Sequence, residues 1–117
     1  MLSEDLEIYK DTYRLCKELM KHSKNVSKLV RFGEYQVAMS KAFLAMDMIR
    51  VINSDINHRY DNLNRYLMLL GEVRSRITLF ADLQLLQVKA ATNLIYLIDK
   101  ASREGTGWRK ASTKFAR

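Results

Sequence analysis

Few side chains in this sequence have the type and spacing that chemistry needs. The two histidines, His22 and His58, stand far apart, each in a polar stretch where a helix is expected to end. A di-iron site in a helical bundle needs paired Glu-x-x-His motifs, and the sequence has none. H-E-x-x-H, a phosphate-cradling glycine-rich loop and a cysteine pair for zinc are missing too. Cys16 is the single cysteine. It falls on an apolar helical seam, where a thiol acts as a small core residue rather than a nucleophile. Glu34 and Asp47 are isolated acids on polar faces, solvated rather than catalytic. The sequence therefore points to binding without catalysis: no enzyme, no cofactor and no metal are expected.

Cations are the functional groups in excess, and their chemistry is phosphate contact. The formal charge is +7. Residues 1–26 carry five acids and five bases, whereas residues 84–117 carry seven bases and two acids. Lys100 and Arg103 lie one turn apart, and Arg109, Lys110, Lys114 and Arg117 follow. Such a group would hold RNA, or DNA, by its phosphates without reading bases. On this reading, glutamine at Arg109, Lys110, Lys114 and Arg117 weakens RNA binding and flattens its salt dependence. The bland reading is that Lys100 and Arg103 serve the dipole at a helix C-terminus and that the basic tail only aids solubility. Arg76 and Lys89 sit nearer the opposite end of the last helical hairpin.

Those residues must be held by helices. Proline is absent, only four glycines occur, and no run alternates strictly in polarity. A first helix is expected from about Glu4 to His22, capped by Ser3, with Leu6, Tyr9, Tyr13, Cys16 and Met20 on its seam and Ile8, Leu15 and Leu19 widening that face. Ser27 should cap a second, with Phe32, Tyr35, Met39, Ala42, Met46 and Ile49 inward and Gly33 weakening its start. Asn53 to His58 reads as a connection. The third helix lines up Tyr60, Leu63, Leu67, Leu70, Arg74 and Ile77, then breaks near Asp82-Leu83-Gln84. Arg74 interrupts an apolar stripe, so it should pair with an acid or a carbonyl at a helix or subunit boundary. Removing it from a poorly solvated place should then cost on the order of 3 kcal/mol or dissociate an oligomer. The fourth helix begins near Gln87 and uses Ala91, Leu94, Ile95, Ile98 and Ala101. Gly105 should stop it in a left-handed cap, with Trp108 folding back on the bundle.

The expected fold is all-α: an antiparallel up-down-up-down four-helix bundle over residues 1–108, with a basic tail over residues 109–117. Helices of roughly 20 residues make such a bundle about 30 Å long. No apolar run approaches the roughly 18 residues of a membrane span. With one thiol and no signal-peptide pattern, the chain is expected in the cytoplasm.

Glu72-Val73-Arg74, then Ile77, Leu79, Asp82-Leu83 and Leu85-Leu86, resembles the third-helix-to-turn pattern of the accessory variability determinant proteins of diversity-generating retroelements. That pattern runs roughly E-L-R, L-x-L and D-L-x-L-L, with a later helix ending in a glycine pair and tryptophan, here Gly105-Thr106-Gly107-Trp108. The resemblance covers about residues 30 to 110. Three departures stand against it: no proline between the first two helices, Thr78 for a basic residue, and Thr106 between the glycines. The related ribosomal intervening-sequence proteins carry a second-helix stretch that this sequence lacks. The resemblance implies a barrel-shaped homopentamer that binds a reverse transcriptase and its template RNA and supports mutagenic cDNA synthesis. The alternative is an oligomeric bundle scaffold of the intervening-sequence type with no dedicated nucleic-acid role.

Overall fold

The computed structural model describes residues 2–112, and among them only helices occur. Four are long: α1 (Glu7–Ser23), α3 (Glu34–Ser54), α4 (Arg59–Asp82) and α5 (Val88–Ser112), with the short α2 (Lys28–Arg31) between the first two. α1 packs on α3 and α5, and α4 packs on the same two, so the four close around one core. The long axis is 47 Å. This exceeds the expected length because α4 and α5 have 24 and 25 residues and connections cap both ends.

Leu15, Leu19, Ile49, Ile52, Leu63, Leu70, Ile77, Leu94 and Ile98 fill the centre. Ala38, Ala42 and Ala45 repeat at helical spacing along α3 and are fully buried, which lets neighbouring helices approach closely. Tyr35 reaches across from α3, donates its hydroxyl to the Leu19 carbonyl and tilts against Phe80 of α4. Its pKa is raised by burial.

α1 keeps Ile8, Leu15, Cys16 and Leu19 inward as expected and departs from the expected seam at Tyr13 and Met20. Tyr13 and Met20 are 55% and 57% exposed, while Ile8, Asp11, Thr12, Leu15, Cys16 and Leu19 face inward. The helix is turned because the polar pair Asp11 and Thr12 finds partners inside. Ser3 does not cap α1. It opens a 3-10 turn over Ser3–Asp5, and α1 starts after Leu6 without a side-chain cap.

The second expected helix is split. Phe32 is exposed and the chain breaks at Gly33 before α3. A Cβ on Gly33 would stand 3.1 Å from the Leu29 carbonyl oxygen, a tight contact that a larger residue meets only if the backbone shifts. Ser27 precedes α2 but makes no side-chain cap.

The left-handed cap lies at a different place from the one expected. Gln84, not Gly105, has positive φ, at 60°. The Leu85 amide donates to the Phe80 carbonyl and the Gln84 amide to Ala81, which closes the last turn of α4. Gly105 instead lies buried within α5. A Cβ there would come 3.0 Å from Leu67 Cδ2 and 3.2 Å from Tyr66 Cε2, so the glycine lets α5 lie against α4. The helix continues through Trp108 to Ser112, and Arg109 and Lys110 belong to it rather than to a tail.

Two arginines finish helices. Arg31 donates to the carbonyls of Ser23, Lys24 and Val26 at the end of α1. Arg59 donates to those of Ile52 and Asn53 at the end of α3. Each answers the open carbonyls and the negative dipole of a helix C-terminus.

Candidate nucleic-acid interface

The six cations singled out from the sequence have different surroundings. Lys100 is half-buried and its Nζ stands 3.2 Å from Asp11 Oδ1. The Asp11 carboxylate accepts its hydrogen bond and raises the ammonium pKa. Arg109 is half-buried and donates to Asn64 Oδ1 at 2.8 Å. Lys110 is exposed at the end of α5. Arg103 is exposed, enters no ion pair among the described residues, and borders a shallow hollow with Asp99, Ser102 and Thr106. Lys114 and Arg117 lie outside the described residues. Trp108 is half-buried, and its ring lies 5.3 Å beneath the Arg59 guanidinium.

Arg74 does pair with an acid. Its Nε is 2.9 Å from Asp99 Oδ1 and its Nη2 is 3.3 Å from Oδ2, which joins α4 to α5 within one chain. The hydrogen bonds and charge of Asp99 raise the Arg74 pKa. The pair is not in a poorly solvated place, because the Arg74 side chain is 48% exposed.

Sequence reasoning missed a buried polar cluster. Asp11 is 1% exposed and Thr12 is fully buried. Thr12 Oγ1 donates to the Ile8 carbonyl and lies 2.6 Å from the hydroxyl of Tyr66 on α4. Asp11 Oδ2 and Glu104 Oε1 are buried with no hydrogen-bond partner. A proton held on Glu104 and directed at Asp11 would satisfy both carboxyls. Burial first, and the Asp11 carboxylate second, push the Glu104 carboxyl up to about 7. Burial also raises Tyr66 and pushes the Cys16 thiol up to about 12, with Asp47 adding to the latter, so the thiol is inert. The missed signal is the spacing itself: Asp11 and Thr12 sit where the stripe of Ile8, Leu15 and Leu19 predicts an inward residue.

Contacts identify which residues share an end. Glu4 bonds Arg50, Asp11 bonds Lys100, and Asn64 bonds Arg109. At the other end Tyr35 bonds the Leu19 carbonyl, Glu34 bonds Arg76, and Asn25 lines one cleft with Gln84 and Gln87. Dividing the helices near their midpoints, residues 2–14, 45–70 and 101–112 hold eight bases and eight acids. Residues 15–44 and 71–99 hold nine bases and five acids, a net +4, with Lys100 at the division. Folding therefore brings Asp11 onto Lys100 of α5 and Glu4 onto Arg50 of α3. The basic excess of the described residues lies at the opposite end from the one the linear sequence marks.

No group of His, Cys, Asp and Glu able to hold a metal ion occurs among the described residues. No described helix is long and apolar enough to cross a membrane. Comparison with protein-family models, with curated proteins and with solved structures finds no match.

Proposed function

We propose that this chain is a non-catalytic accessory protein of a diversity-generating retroelement. It binds the reverse transcriptase and, through phosphate contacts, the template RNA, and so supports mutagenic cDNA synthesis. The observation that carries the RNA-binding part is the charge of +7 together with exposed cations that enter no ion pair among the described residues, Lys24, Lys28, Lys89 and Arg103. The family part rests on the sequence resemblance. Its stretches fall on packing points of one helix pair: Arg74 ties α4 to α5, Asp82 to Leu86 form the connecting turn, and Gly105 brings the two helices together. Contacts between the start of one long helix and the end of its neighbour support an antiparallel up-down-up-down arrangement.

The assembly is read as a homopentamer in the cytoplasm. Tyr13, Met20, Phe43 and Met46 line an apolar groove between α1 and α3, suited to a second copy of the chain. The same groove favours the second reading, an oligomeric scaffold without a nucleic-acid role.

Two measurements test the proposal. Light scattering should return a multiple of the 13.7 kDa chain, near five copies, and a monomer mass would sink the assembly. Titration with RNA should show strong binding at low salt that weakens steeply as salt rises. An oligomer that binds neither RNA nor a retroelement reverse transcriptase is the scaffold instead.

A further inference from the structure

The end with the basic excess is built from two connections, residues 24–33 and 83–87. Lys24, Lys28 and Lys89 are exposed there and enter no ion pair among the described residues. Lys21, one turn earlier, holds Glu18 only loosely, at 3.6 Å. The same end carries exposed apolar side chains, Leu29, Phe32, Leu83 and Val88. Phe32 is 70% exposed, an unusual position for a ring that covers no core. Between the connections runs a cleft bearing the side-chain amides of Asn25, Gln84 and Gln87.

We infer that this end, rather than the end of α5, is the RNA-binding surface, and that it takes an unpaired RNA segment. Phosphates lie on Lys24, Lys28 and Lys89, and bases lie against Phe32 and the cleft amides. The inference rests on the RNA-binding reading above and supplies its contact surface. Lysine ammonium groups meet phosphates as point charges and need no fixed geometry. An open aromatic ring stacks on a base of any identity, which only unpaired RNA offers. Asn and Gln amides both donate and accept, and so match base edges and ribose hydroxyls. A lipid surface fits less well, because those amides would interrupt the apolar contact it needs. At the opposite end Lys100 and Arg109 are bonded to Asp11 and Asn64, and with Lys100 included nine bases meet eight acids, so a polyanion gains less there.

The test uses the full chain and two fluorescent probes, an unstructured oligouridine and an RNA hairpin of equal length. In the triple variant Lys24→Gln, Lys28→Gln, Lys89→Gln, affinity for oligouridine at low salt should fall about tenfold or more. The slope of log affinity against log salt should flatten by about 2, near 0.7 per lost phosphate contact. Phe32→Ser should weaken oligouridine binding about tenfold and hairpin binding far less. These residues are exposed, so helicity by circular dichroism should not change. A parent that binds RNA with the triple variant unaltered overturns the surface alone. A parent that binds no RNA at any salt overturns the surface and the RNA-binding reading together. Vesicles of phosphatidylcholine and phosphatidylglycerol that bind the parent and not the triple variant, with RNA binding unaltered, assign this end to lipid and overturn the inference.

Discussion

At one end of the bundle several cations are held by side chains of other helices, with Arg103 left facing solvent; at the other, three lysines face solvent together. Asp11 accepts from Lys100 inside the first end, Arg50 reaches Glu4, and Arg109 holds Asn64. At the second end Lys24, Lys28 and Lys89 enter no such pair among the described residues. The two ends have similar numbers of bases, so the number of cations does not separate them. Acids brought in from other helices do. Where cations are compensated by the fold they serve stability, and where they are not they remain available to a ligand.

Substitutions at the compensated end should act on stability. The largest effect is expected for Gly105→Leu, which forces a side chain against Tyr66 and Leu67. It should cost about 3 kcal/mol, read from chemical denaturation. Gly107→Leu, with no atom within 4 Å of its added Cβ, is the control and should be nearly neutral. Equal losses for the two would break the picture of α5 closely apposed to α4.

Next in size is a pH dependence. Burial and the neighbouring Asp11 push the folded Glu104 carboxyl up to about 7, above the ordinary 4.5, so between these values the folded state binds more protons than the unfolded one. Stability conferred by this group is then complete below pH 4.5 and is lost as pH rises through 7. Tm should fall by on the order of 5 °C between pH 5 and 8 in the parent. Glu104→Gln keeps a donor to Asp11 and should remove most of that fall. A parent Tm that is flat or rises over this interval would contradict the proton held on Glu104.

The third expectation sets the ends directly against each other. Replacing Arg109, Lys110, Lys114 and Arg117 by glutamine should weaken RNA binding less than the triple change at Lys24, Lys28 and Lys89. The reverse order would return the contact to the end of α5. The smallest effect belongs to Arg74→Ala. Its pair with Asp99 is half in solvent, so Tm should move by no more than about 2 °C and the assembly mass should hold. A drop of 10 °C, or dissociation, would restore the stronger role expected from its place in the apolar stripe.

Much of the fold was legible. The four long helices, the break after Asp82, the buried Cys16 and a pairing of Arg74 with an acid or a carbonyl all follow from periodicity and polarity. Three features were hidden for definite reasons. Gly105 and Gly107 look like a helix stop, but the first is small to admit Tyr66 and the second faces open space. Gln84 takes the left-handed position that a glycine usually holds, supported by amide bonds to Phe80 and Ala81 that sequence does not display. The turn of α1 depends on Asp11 and Thr12 finding Lys100 and Tyr66, partners 89 and 54 residues away. The pairing of charges among the described residues was hidden for the same reason, since only the packed helices decide which acid meets which base.

The arginines that close α1 and α3 carry a consequence for motion. Arg31 belongs to α2 and Arg59 to α4, yet each grips the final carbonyls of the helix before it. A frayed last turn of α1 therefore releases α2, and a released α2 frees the last turn of α1. The two must open as one unit, and so must the end of α3 with the start of α4. Amide hydrogens around residues 20–31 should exchange with a common opening free energy, as should those around residues 50–60. Alanine at Arg31 should separate the first group into independent, faster rates while leaving the second as it was.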